Sequence, residues 1–158
     1  MNNKQICLPD QPESQWEYAG LLWRSIAGVI DCTITTVLSA APIAALYQLH
    51  RLNALSLTAF VLLAAVSFAL INWIYFAGFE CSSWQATPAK RLCNLIVVDT
   101  DGARLTFLVA SLRFFLNMWR GEPIALDAAM VAATKKKQDL EDIISATLVL
   151  RRKNQKYQ

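Results

Sequence analysis

The sequence predicts an all-α integral membrane protein: two long transmembrane helices, a short third helical hairpin or re-entrant region, and a small cytoplasmic face that contains strands. Three observations lead to this class. Apolar residues make up 55% of the 158-residue chain and charged residues only 17%, an unusual balance for a soluble domain. Two apolar runs, 18–49 and 54–79, each exceed the roughly 20 residues a spanning helix needs. The second run has no charged residue from Leu55 onward, which argues against a soluble bundle with deeply buried helices. Finally, apart from Arg24, the basic residues flank these runs instead of interrupting them. Lys90, Arg91 and Arg104 follow the second run, and Lys135, Lys136, Lys137, Arg151, Arg152, Lys153 and Lys156 crowd the C-terminal end. A net charge of +3 distributed in this way fits cytoplasmic flanks better than a nucleic-acid surface. The length allows one domain.

In chain order, residues 1–17 form a flexible polar N-terminal tail with Asp10, Glu13 and Glu17 against a single Lys4. The tail has no signal-peptide pattern, so the first apolar run is expected to act as an uncleaved insertion signal. Trp16, Tyr18 and Trp23 mark the headgroup level, where amphipathic rings settle. Arg24 and Asp31 follow, seven residues apart. That spacing is close to two helical turns, so both lie on one face about 10 Å apart along the axis. Arg24 is near enough to the interface to snorkel, whereas Asp31 is too deep. An ionisable side chain at such depth is a candidate functional group. Ala27 and Gly28 between them would let another helix approach closely, and Pro42 is expected to kink the helix.

His50, Arg51 and Asn53 form a polar turn, in which the single histidine reads as solvated and not as a proton carrier. The second run carries Asn72 as its only strongly polar residue and ends in an aromatic belt of Trp73, Tyr75 and Phe79, returning the chain to its starting side. Residues 80–90 are polar. The β-branched run 95–98 leads into Asp99-Thr100-Asp101-Gly102, a strong turn signal, and a small hairpin is expected to end near Thr106. Asp99 and Asp101 lack the spacing and late glutamate of a calcium loop. LTFLVASLRFFLNMW (105–119) is apolar but contains Arg113. It is separated from IALDAAMVAA (124–133), which contains Asp127, by Arg120-Gly121-Glu122-Pro123. Neither piece is a comfortable span alone, and each could be half of a hairpin shielded by protein. Residues 139–146 have helical spacing, 147–150 are strand-like, and 151–158 form a basic C-terminal tail. Zero or two crossings within 105–134 keep both basic regions and both termini cytoplasmic, and would let 95–98 pair with 147–150.

Cys7, Cys32, Cys81 and Cys93 show no CxxC spacing and read as free thiols; no metal and no cofactor are expected. HExxH, GxSxG and a Cys–His arrangement are lacking, so the chain does not read as an enzyme.

These pieces together resemble the RDD family of small bacterial membrane proteins, named for one arginine and two aspartates. Arg24-Ser25-Ile26-Ala27-Gly28-Val29-Ile30-Asp31 is similar to the start of the family's first helix. Gln85-Ala86-Thr87-Pro88-Ala89-Lys90-Arg91-Leu92, followed by Leu95-Ile96-Val97-Val98-Asp99 and Gly102, is similar to its central connection. Asp142-Ile143-Ile144-Ser145-Ala146-Thr147-Leu148-Val149 is similar to its terminal stretch, with Asp142 as the second aspartate. The resemblance covers 18–150, the transmembrane domain. Ala89 stands where a glycine is usual, Glu141 where a histidine often precedes the aspartate, and the third apolar region is shorter and more charged than is typical.

The resemblance implies an inner-membrane protein that transports a small ion or solute, by cation/proton exchange in some members. Arg24, Asp31 and Asp142 are then the candidate polar triad. Asp31 would alternate between proton and cation, since burial disfavours a bare carboxylate. Alternatively the three form a staple that anchors the C-terminal segment to the first helix, with Asp142 as the partner of Arg24. A scaffold of two spans would need partners besides membrane lipid. These are a second copy, packed through a face of Gly20, Ala27 and Gly28, or a larger membrane complex to which the protein is an accessory or scaffold subunit.

Overall fold

The computed structural model describes residues 16–120, 130–131 and 134–153. Two long helices, α1 (Leu21–Arg51) and α2 (Leu57–Glu80), form an antiparallel hairpin, and both are long and apolar enough to cross a membrane. The turn between them is fastened at several points. Asn53 takes a left-handed backbone at φ 58°, and Ser56 caps α2 by accepting from the Ala59 N–H at 3.2 Å. His50 belongs to the last turn of α1. Its ring stacks on Phe60 at 5.6 Å and its Nδ1 donates to the Leu55 carbonyl at 2.9 Å, so it is a clasp and not the solvated residue the turn chemistry suggests. Helix α1 runs unbroken through Pro42.

Both helices are inside out relative to a soluble protein. The buried positions of α1 are Ala27, Asp31, Thr35 and Ser39, one per turn, and three of the four are polar. Its outward positions are apolar, with Leu22, Val29 and Val37 67%, 68% and 67% exposed. On α2, Tyr75, Ala77 and Glu80 are buried while Leu62 and Ile74 lie open. Polar side chains away from the hairpin's inner face turn back on their own helix: Thr36 donates to the Cys32 carbonyl, Ser67 to Leu63 and Asn72 to Phe68, at 2.7–2.8 Å. Such back-bonding satisfies a hydroxyl or amide where no water can.

At the end of the hairpin where α1 begins and α2 finishes sits a three-stranded antiparallel sheet of β1 (Trp16–Tyr18), β2 (Leu95–Asp99) and β3 (Thr147–Arg152), in the order β1-β3-β2. Tyr18 pairs with Leu150, and Val97 with Val149. The pairing expected between 95–98 and 147–150 is present. The strands expected beside the helices are this sheet, and the chain is mostly helical. Two other expectations are corrected. The hairpin near Thr106 does not form, because β2 takes β3 as its partner and the Asp99 turn merely closes, with Gly102 N–H donating to the Asp99 carbonyl at 2.9 Å. The tails are also shorter than their composition suggests. Trp16 and Glu17 belong to β1, and Arg151 and Arg152 belong to β3. The remainder of both tails, 1–15 and 154–158, lies outside the described residues.

Short helices complete this end. α3 (Pro88–Leu92) is started by Thr87, whose hydroxyl accepts from the Lys90 N–H, with Pro88 in the first turn, where its missing N–H is harmless. α4 (Phe107–Arg120) covers the first of the two apolar pieces in 105–134; most of the second, Asp127 included, lies outside the described residues. α5 (Leu140–Ile144) is capped by Asp139, which accepts from the Asp142 N–H at 2.9 Å. Four alanines, Ala27, Ala77, Ala89 and Ala110, one from each of α1 to α4, lie fully buried in the common core, where small side chains let the helices come close. Of the expected small-residue face, only Ala27 is used in this way; Gly20 and Gly28 look onto open space.

Candidate functional site

The polar inner stripe of α1 brings two separate buried clusters to the sheet end of the hairpin. The first is built on Arg24, one turn into α1. Its Nη1 donates to Asp142 Oδ2 at 2.6 Å and Asp139 Oδ2 at 3.1 Å, and its Nη2 donates to the Lys137 carbonyl at 2.8 Å. The capping of α5 by Asp139 presents both carboxylates on one turn, which is why a single guanidinium reaches both. From the opposite side Arg113 of α4 donates through Nη1 to Asp142 Oδ1 and to the Thr147 hydroxyl, and through Nε to Glu80 Oε2 at 3.3 Å. Glu80, the last residue of α2, also accepts from Lys90 Nζ at 2.5 Å.

This network alternates in sign: Lys90, Glu80, Arg113, Asp142, Arg24, Asp139. Three cations meet three carboxylates, so the buried charge cancels. It ties α1, α2, α3, α4 and α5 to one another, and Asp142 at its centre is 0% exposed. Burial alone would raise the Asp142 pKa, but Arg113 and Arg24 outweigh it and hold the carboxyl at about 2. The neighbours on α5 behave oppositely. Burial, with the charge of Asp142 added, raises Asp139 despite its contact with Arg24. Burial, with the charge of Asp139, pushes Glu141 up to about 7, although Arg113 and a 3.0 Å hydrogen bond from Asn117 oppose the shift.

The second cluster is built on Asp31, also 0% exposed. Its Oδ1 accepts from the Tyr75 hydroxyl at 2.6 Å and the Ala89 N–H at 3.3 Å, and its Oδ2 accepts from the Thr87 hydroxyl. Asp31 thus joins α1 to α2 and to the first turn of α3. Among the described residues no ion pair reaches it.

Of the three candidate residues, therefore, Arg24 and Asp142 are brought together, and Asp31 stands apart from both. Four further contributors carry a sequence signal and a fifth, Tyr75, carries none. Arg113 interrupts an apolar run and Glu80 ends an uncharged one, and each is an ion that must find its opposite when buried. Thr87 before Pro88, and Asp139 three residues before Asp142, are helix-start signals. Tyr75 reads as part of an aromatic belt, and nothing in its neighbours marks its hydroxyl as the donor to Asp31. Among the described residues no three His, Cys, Asp or Glu side chains converge as a metal site would need, and Cys32, Cys81 and Cys93 are free. A shallow groove of about 340 Å³ lined by Ile74, Gly78, Phe79 and Trp84 touches neither cluster.

The model of the RDD family matches residues 18–146, a span that contains Arg24, Asp31 and Asp142. No curated protein and no solved structure matches the chain. With most of its length matched, and with the arginine and both aspartates fully engaged in the polar core, the chain belongs to the RDD family.

Proposed function

We propose that the protein is a multi-pass protein of the bacterial inner membrane that exchanges a small cation for protons, with Asp31 as the coupling carboxylate. The membrane reading is supported by the inverted polarity of α1 and α2, polar within and apolar without. A sheet that joins a strand before α1 to strands after α2 supports zero or two crossings within 105–134. The basic residues collect at this end, which is assigned to the cytoplasm together with both termini.

One observation carries the exchange reading: Asp31 is a fully enclosed carboxylate with no cation paired to it among the described residues. Hydrogen bonds from Tyr75, Thr87 and Ala89 offset part of its desolvation, and no ion pair among the described residues meets its charge. The oxygens gathered there, from the carboxylate and two hydroxyls, are hard ligands suited to an alkali cation once the hydroxyl protons turn away. Thr87 and Ala89 both bond to Asp31, so a cation reaches it in this reading by displacing the first turn of α3. Two spans do not enclose a path, and the exposed faces of α1 and α2 are the surfaces for a homo-oligomer.

The test is pH-dependent cation flux in proteoliposomes. Asp31→Asn should stay folded and lose the flux; flux that survives the substitution, or its absence from wild-type protein, sinks the reading. A second reading, a non-catalytic accessory subunit of a larger membrane complex, draws on the same enclosure of Asp31 and on the open apolar faces. Stoichiometric co-purification with a larger membrane protein in mild detergent, with no flux by the isolated protein, would favour it.

A further inference from the structure

We infer that α4 is an in-plane interfacial helix, with Leu108, Leu112 and Phe115 facing the acyl chains of the bilayer; this rests on the membrane reading above. α4 has the two-sided character of a surface helix, but with its polar side turned inward. Ala110 and Arg113 are buried, Ser111 accepts from the Trp73 indole N–H at 2.9 Å, and Asn117 donates to Glu141. On the opposite side Leu108 is 78% exposed, with Leu112 and Phe115 also open. The spacing 108, 112, 115 is one helical stripe. A water-facing stripe of this kind would be costly, and a lipid-facing one is not.

Three features select the bilayer as the occupant. The stripe is continuous with the open apolar side of α2, because Phe107 and Phe115 flank Trp73 at 5.7 and 5.8 Å. α4 has 14 residues, about 21 Å of helix, too short for a core of about 30 Å. It also sits at the right depth. Its hydrogen bond, ring and ion-pair contacts with α2 run from Trp73 to Glu80, within about 10 Å of the sheet end, where headgroups would meet acyl chains. Exposed Arg104, just before α4, is held at that level by its Nε, which donates to the Cys81 carbonyl at 2.5 Å, and a cation there suits the headgroup region. The consequence is chemical. A lipid-backed α4 keeps water from Arg113, so the network around Asp142 lies in a low dielectric although Asp142 itself is outside the two spans.

The test uses the native chain in liposomes. A diazirine that partitions into acyl chains is photolysed, and the tags are read residue by residue by mass spectrometry. Tagging of Leu108, Leu112 and Phe115 is expected to match that of Val66 on α2 and to exceed that of Ala110 by roughly tenfold. If Val66 is tagged and the α4 stripe is not, the inference fails while the membrane reading stands. Equal tagging of Ala110 also overturns it, since α4 would then not be seated on α2. If Val66 is untagged as well, the membrane reading falls and takes this inference with it.

Discussion

Asp31 and Asp142 are the same side chain, both sealed from solvent, at the same end of one helix hairpin, yet their surroundings differ in kind. Asp142 lies between two guanidinium groups in a network whose charges cancel. Asp31 is held by two hydroxyls and one backbone N–H, with no ion pair among the described residues. A carboxylate compensated by fixed cations has no reason to change state, and its pKa of about 2 keeps it charged at any physiological pH. One held by hydrogen bonds alone can meet an incoming cation without an existing ion pair being broken. The difference separates the staple from the candidate coupling group, two roles that share one family motif.

The comparison can be broken at its strongest point first. Arg113→Ala takes one cation from each of two buried carboxylates, leaving Asp142 only Arg24 and Glu80 only Lys90, and should cost about 3–5 kcal/mol of stability, read as the loss of thermal unfolding temperature in detergent. Arg24→Ala leaves Asp142 its second guanidinium and should cost less, about 2 kcal/mol, in the same measurement. A cost equal to that of Arg113→Ala would mean the network has one centre instead of two anchors.

Asp31→Asn keeps an acceptor for Tyr75, and the Thr87 hydroxyl can rotate to accept from the new amide. A cost of only about 1–2 kcal/mol is expected, with flux abolished. If it unfolds the protein as Arg113→Ala does, the two carboxylates do the same job and the distinction collapses. The smallest effect is at Glu141. Its folded pKa, about 7, lies above the ordinary 4.5, so the folded state binds its proton more tightly and stability falls as pH rises from about 4.5 through 7. Glu141→Gln should therefore be the more stable form at pH 8, by about 1 kcal/mol, with the gap closing by pH 5. A gap that is constant with pH would show that Glu141 does not titrate in this range.

How far the site was legible depended on where each partner lay. Arg24 and Asp142 could be paired on paper because one sits at the membrane interface and the other in a segment that must fold back on that side. Arg113 and Glu80 were visible only as ions without explanation, since each is intelligible only beside the other. The partners of Asp31 were hidden, because a tyrosine near the end of a span reads as a belt residue and Thr87 as part of a connection. β1 was hidden for a similar reason. Three residues have no strand signal of their own, and Trp16–Tyr18 is extended only because β3 offers it an edge.

Local sequence determined what depends on length, hydropathy and spacing. It set two helices long enough to span, a turn at Asp99 to Gly102, a short helix before a strand at the C-terminal end, and the face of α1 shared by Arg24 and Asp31. These follow from backbone geometry and from the cost of apolar surface, which nearby residues fix. Only the tertiary structure decided which buried charge meets which. Ion pairing across more than a hundred residues depends on where five helices converge, and that convergence sent Arg24 to Asp142 and left Asp31 to hydroxyls.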